Sequence, residues 1–214
     1  MDKSDTRLAI LDPLWLAGLS ALGLAAVALL LGTPAMHLFD HTVLHGVRVW
    51  HADWLTAVMK FFTFVGSTEA AAVIVLLAMF WIRRRLNNRR EALLFMSAVA
   101  GAGLFNLLLK HWFQRPRPEL GLIEAGGFSF PSGHSMGAFA LYGLLAYLLR
   151  RQFAGLVERS LWLLFSAVMI VCIGFSRVYL GVHYPSDVIG GFLAGSCLVA
   201  LTIAYNRYVW RRRL

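Results

Sequence analysis

Six stretches of this chain are almost wholly apolar, over about residues 14–31, 68–82, 92–109, 135–149, 161–175 and 188–205. Each approaches the roughly 20 residues that a helix needs to cross the hydrocarbon core of a bilayer. All six prolines (Pro13, Pro34, Pro116, Pro118, Pro131 and Pro185) fall between these runs, where a broken backbone ladder does not face lipid. With 59% hydrophobic and only 14% charged residues, against about 25% charged in soluble domains, a soluble globule, a disordered chain and a coiled coil are all excluded. The expected fold is all-α, a polytopic membrane bundle of six transmembrane helices forming one domain over residues 1–214.

Most of the basic residues behind the formal net charge of +9 lie in short clusters beside these runs. Arg83, Arg84, Arg85, Arg89 and Arg90 form one cluster, Arg150, Arg151 and Arg159 a second, and Arg207, Arg211, Arg212 and Arg213 a third. Clusters of this kind mark cytoplasmic loops under the positive-inside rule, and they leave no separate basic face for nucleic acid. Both termini are then cytoplasmic, and loops 33–67, 110–134 and 176–187 lie outside. The first run is longer than a signal-peptide core and reads as an uncleaved span. Residues 34–66 mix histidines and acids with Trp50, Trp54 and Phe61, as amphipathic helices lying in the interface do, and the short 54–65 stretch, with Lys60 in its middle, is interfacial or the lead-in to the second span. Cys172 and Cys197 fall inside apolar runs and read as core thiols.

Two outer loops concentrate catalytic residue types. One carries Lys110, Arg115, Arg117 and Pro131-Ser132-Gly133-His134; the other carries Ser176-Arg177, His183 and Asp187. The first turn of a helix starting at Gly133 presents unpaired N–H groups and the positive end of its dipole to an anion. Ser132 can add a hydroxyl, Gly133 lets an oxyanion approach the backbone, and Lys110, Arg117 and Arg177 supply the cations that stabilise a pentacoordinate phosphoryl group. His183 and Asp187, four apart, share a face if the entrance to the last span is helical. Asp187 then accepts from one imidazole nitrogen and leaves the other to attack phosphorus, while His134 serves as general acid. Charge counting places all three blocks on one membrane face.

The order Lys110, six residues, Arg117-Pro118; Pro131-Ser132-Gly133-His134; Ser176-Arg177, five residues, His183, three residues, Asp187 resembles the three-part signature of the type 2 phosphatidic acid phosphatase superfamily, with eleven specified positions matched. The resemblance implies a metal-independent and cofactor-free phosphatase working through a phosphohistidine. In it His183 is the nucleophile, Asp187 its orienter and His134 the acid, and Lys110, Arg117, Ser132, Gly133 and Arg177 bind the phosphoryl group. Membrane members similar to this chain act on lipid phosphates and diphosphates, including phosphatidylglycerophosphate, phosphatidic acid and undecaprenyl pyrophosphate. The small size resembles the bacterial phosphatidylglycerophosphatase and undecaprenyl-pyrophosphate phosphatase branch. A phosphotransferase using a lipid alcohol as acceptor, and a non-catalytic headgroup binder or transporter, are the alternative functions.

Other residues have plainer readings. Arg115 lies outside the signature and reads as a rim charge or headgroup contact. His37, His41 and His45 read as solvated imidazoles of an interfacial helix rather than metal ligands. Glu69 reads as a helix-dipole partner or headgroup contact, Asn106 as hydrogen-bonding glue, and Gly191 with Gly195 as a close-packing motif within the bundle.

Overall fold

The computed structural model describes residues 3–86, 89–119, 121–153 and 155–211. Arg212 and Arg213 of the last basic cluster lie outside the described residues. Among the described residues the fold is all-helical, with helices α1 (Lys3–Leu30), α2 (Pro34–Arg48), α3 (Asp53–Val65), α4 (Thr68–Leu86), α5 (Arg89–Phe113), α6 (Gly133–Leu149), α7 (Leu156–Tyr179) and α8 (Pro185–Arg211). A 3-10 turn, Arg150–Gln152, joins α6 to α7.

By length and apolarity, four helices among the described residues are long enough to cross a membrane: Pro13–Leu30, Arg89–Phe113, Leu156–Tyr179 and Pro185–Val209. Helices α3 and α4 meet the same test as a bent pair, broken by 57°. The break falls at Gly66-Ser67, where the Ser67 hydroxyl accepts from the Ala70 N–H at 3.2 Å and starts α4. The 68–82 run, expected as the second span with residues 54–65 interfacial or leading into it, is joined at this break to α3 in a bent pair, the geometry of a broken span or a re-entrant loop.

The 135–149 run is α6, a 17-residue helix whose length of about 26 Å is short of the hydrocarbon thickness. It is apolar on every side because it is the hub of the bundle. Helices α4, α5, α7 and α8 all pack on it, and a helix hydrophobic all round is one enclosed by protein. Close approach of α8 depends on the absence of two side chains. A Cβ at Gly191 would sit 2.6 Å from the Ser132 carbonyl oxygen, and one at Gly195 would sit 2.7 Å from the Phe139 Cβ. The small-residue pair thus serves packing within the bundle. On its other side α8 carries α1, to which the buried hydroxyls of Ser20 and Ser196 are bonded at 2.9 Å.

Helix α1 begins ahead of the expected run and continues through Pro13. Helix α2 opens at Pro34, whose missing N–H costs nothing at a helix start, with the Thr33 hydroxyl accepting from the Met36 N–H at 3.3 Å. It buries Asp40, Leu44 and Val47 on one face, while His37, His41 and His45 are exposed. Among the described residues no three His, Cys, Asp or Glu side chains form a metal-holding group.

Candidate active site

The two long connections, 114–132 after α5 and 180–184 after α7, close over the same end of the hub helix. Helices α5 and α7 run farther than the apolar pattern suggests, so Lys110, Ser176 and Arg177 lie on helix ends rather than in loops. No breaker intervenes before Gln114, at φ 46°, and Gly181, at φ 69°. The loops are stitched together by Leu122 N–H to Leu180 C=O at 2.8 Å, and by Ser132 N–H to Asp187 C=O at 2.9 Å.

A cavity of about 530 Å³ opens at this end, lined by Lys110, Arg117, Gly133, His134, Arg177 and His183 together with Thr63, Phe64, Ser67, Glu124 and neighbouring loop residues. Six of the eight residues expected to form the site therefore face one space. Lys110 Nζ donates to the Phe128 carbonyl at 2.7 Å. The Arg117 guanidinium donates to the carbonyls of Gly127 at 3.0 Å, Gly126 at 2.9 Å and Val182 at 2.8 Å. Arg177 is buried, donates from Nη1 to the Thr63 hydroxyl, and leaves its buried Nε without a hydrogen-bond partner. An unpaired guanidinium N–H beside a cavity is a ready donor to an incoming oxyanion.

The two remaining residues stand behind this wall. Asp187 is fully buried in the first turn of α8. Its Oδ2 accepts from the Tyr184 N–H at 2.8 Å and faces His183 Nδ1 at 3.3 Å. His183 sits just before the helix yet still shares Asp187's face. With Nδ1–H directed at the carboxylate, His183 Nε2 carries the lone pair, and it accepts from Arg117 Nη1 at 3.1 Å. Ser132 is buried rather than cavity-lining. Its hydroxyl accepts from the Ser135 N–H at 3.4 Å and the Ser135 hydroxyl at 3.0 Å, so it caps α6 and sets the direction of the first-turn N–H groups.

Burial pushes His183 down to about 4 even though the hydrogen bond and charge of Asp187 pull upward.

Three findings change the reading of individual residues. Arg115 is not a rim charge. Its side chain is only 9% exposed, and it bridges Asp187 Oδ1 and Asp40 Oδ2, each at 2.7 Å. Gly133 has a steric reason beyond oxyanion approach, because a Cβ there would lie 2.8 Å from Asn106 Oδ1. Asn106 itself donates to the Pro131 carbonyl at 3.0 Å and to the Met136 sulfur of α6 at 3.8 Å, so it ties α5 to α6 and to the loop that begins it. Glu69 does not line the cavity. The residues that sequence reasoning missed are Thr63 and Ser67 at the α3–α4 break, Glu124 at the mouth, and Asp40. Asp40 did leave a signal, as an acid occupying the apolar i, i+4, i+7 stripe of α2 with Leu44 and Val47.

With the fold and this geometry in hand, the comparisons with known proteins agree. The PAP2 superfamily model matches residues 91–211, and the chain belongs to that superfamily. It is 33% identical over 186 residues to phosphatidylglycerophosphatase B of Bacillus subtilis (strain 168), covering 85% of this chain and 90% of that one. It is 31% identical over 169 residues to undecaprenyl-diphosphatase BcrC of the same organism, covering 76% and 77%. The crystal structure of a transmembrane PAP2 type phosphatidylglycerolphosphate phosphatase from Bacillus subtilis superposes with a TM-score of 0.82 at 30% identity, over 92% of this chain and 96% of that one. The protein is a multi-pass membrane enzyme of the lipid phosphatase class.

Proposed function

We propose that this enzyme removes the terminal phosphoryl group of a lipid phosphate or diphosphate of the phosphatidylglycerophosphate, phosphatidic acid or undecaprenyl pyrophosphate class, through a phosphohistidine on His183, at the outer membrane face. The observation that carries the reading is the shared cavity, in which His183, His134 and three cations surround a space fit for a tetrahedral oxyanion, with Asp187 behind the nucleophile.

The phosphoryl oxygens take the donors of Arg177, Lys110 and the first turn of α6, and draw the Arg117 Nη1–H away from His183 Nε2. That lone pair then attacks phosphorus while the bond to the lipid oxygen breaks and His134 gives that oxygen its proton. Water next attacks the phosphohistidine, His134 takes the water's proton, and the P–N bond breaks to return neutral His183 and inorganic phosphate. The negative substrate offsets the cations around His134 and so raises its proton affinity to that of a working acid.

Six spans with both termini cytoplasmic complete the proposal, with α6 and the α3–α4 pair each counted as one crossing; the arginine bias supports this orientation. Purified His183→Ala should release no phosphate from micellar substrate. Appreciable turnover by that folded variant would refute the nucleophile assignment. Parallel rates on phosphatidylglycerophosphate, phosphatidic acid and undecaprenyl pyrophosphate identify the preferred lipid.

A further inference from the structure

We infer that Asp40, on the interfacial helix α2 and outside the matched superfamily region, is a positioning residue for catalysis: through Arg115 and Ser186 it fixes the carboxylate of Asp187 and preserves that carboxylate's charge for His183.

Asp40 is fully buried, and its side chain is hydrogen-bonded to Ser186 and Arg115, beside Asp187. Its Oδ1 accepts from the Ser186 N–H at 3.0 Å, and its Oδ2 from the Ser186 hydroxyl and Arg115 Nη2, both at 2.7 Å. Arg115 Nη1 reaches across to the Ser186 hydroxyl and to Asp187 Oδ1, again both at 2.7 Å. The face of its guanidinium lies 4.2 Å from the centre of the Tyr184 ring. With Oδ1 held by Arg115 and Oδ2 by the Tyr184 N–H, the carboxylate plane of Asp187 cannot turn away from His183.

Geometry alone would require only Arg115; the charge explains Asp40. When Nε2 attacks phosphorus, positive charge develops on the imidazole, and Asp187 stabilises it only with an uncompensated negative field. A lone buried guanidinium against Asp187 would cancel that field. Two carboxylates sharing one guanidinium leave a net charge of −1, which is the complement of the developing imidazolium. Neither Asp40 nor Arg115 lines the cavity, so their effect falls on the chemical step and not on phosphate binding.

This inference rests on the phosphohistidine reading above, and the experiment separates the two. Lipid phosphatase kinetics are measured for wild type, His183→Ala, Asp40→Asn, Arg115→Gln and Asp40→Asn/Arg115→Gln, with folding checked by thermal melting. The expected result is that Asp40→Asn lowers kcat on the order of 10- to 100-fold, as when the partner that orients a functional ligand is lost, with KM within about twofold. The charge-balanced double variant should regain activity relative to Asp40→Asn, so the two losses do not multiply. Arg115→Gln strands Asp40 without its cation and can fail to fold; the comparison of Asp40→Asn with the double variant then decides alone. Unchanged kcat in folded Asp40→Asn, a rise in KM with kcat kept, or no recovery in the double variant would each overturn the positioning role. Those outcomes leave the phosphatase mechanism standing as long as His183→Ala is inactive; turnover by His183→Ala sinks that mechanism instead.

Discussion

The neutrality of His183 can be measured without turnover, using vanadate as a phosphoryl analogue that must accept the Nε2 lone pair. An ordinary imidazole with pKa about 6.5 is only about 3% neutral at pH 5, whereas one held at about 4 is about 90% neutral. The difference is about thirtyfold in competent nucleophile, or about 2 kcal/mol of binding free energy. The sign follows from the cause: burial disfavours the imidazolium, so protons compete with vanadate only near pH 4 and below. His134 would confuse the measurement by taking up a proton when the anion enters, so His134→Ala is the background of choice. Tryptophan fluorescence or thermal shift in detergent, with micromolar vanadate kept in one protonation state, should give a dissociation constant that is nearly flat from pH 7 to pH 5. Weakening of tenfold or more over that interval would show that His183 titrates as a solvated histidine, and the buried-nucleophile account would fail.

Further predictions concern the second step, packing, acid stability and orientation. His134→Ala lacks both the acid of the first step and the base of the second, so with a radiolabelled aryl phosphate, whose leaving group needs no proton, it should accumulate an acid-labile phosphoenzyme detectable by rapid quench; no label on the protein would count against the covalent route. Gly191→Ala places a methyl 2.6 Å from the Ser132 carbonyl oxygen and should lower stability by about 1–3 kcal/mol, the usual cost of overpacking, read as a fall in melting temperature. Because His183 is depressed from 6.5 to about 4, the unfolded chain binds more protons between those values. Its stabilising contribution is full above pH 6.5 and is lost as pH falls toward 4, so His183→Gln should flatten the acid side of the melting-temperature profile. A cysteine at Gly126, which lines the cavity, should react with an impermeant thiol reagent from outside; labelling only from the cytoplasm would invert the topology.

The site was legible where chemistry and chain order coincide, and obscure where the chain returns from a distance. Lys110, Arg117, Gly133, His134, Arg177 and His183 could be grouped because each begins or ends an apolar run on one face, and bilayer crossing brings such ends together whatever the packing between them. Arg115 could not be placed that way. Two residues from Arg117, it would share that residue's side in a regular extended segment, yet Arg117 lines the cavity while Arg115 turns behind its wall to Asp40 and Asp187. Its function is set by Asp40, 75 residues earlier, and by an amphipathic helix whose docking no periodicity specifies.

The same limit explains the span count. Apolarity marks α6 as membrane-embedded, but only packing shows that protein surrounds it, which permits a helix too short for lipid. The catalytic machinery is therefore anchored at two levels. The hub helix and its glycine-lined contact with α8 fix His134 relative to Asp187, since the Ser132 N–H bonds the Asp187 carbonyl directly. Helix α2, packed on α7 and α8, then holds the carboxylate of Asp187 through Asp40 and Arg115. A perturbation that loosens α2 from these helices should act on the rate of phosphoryl transfer before it acts on the fold, because α2's buried charge ends at Asp187 rather than in the apolar core.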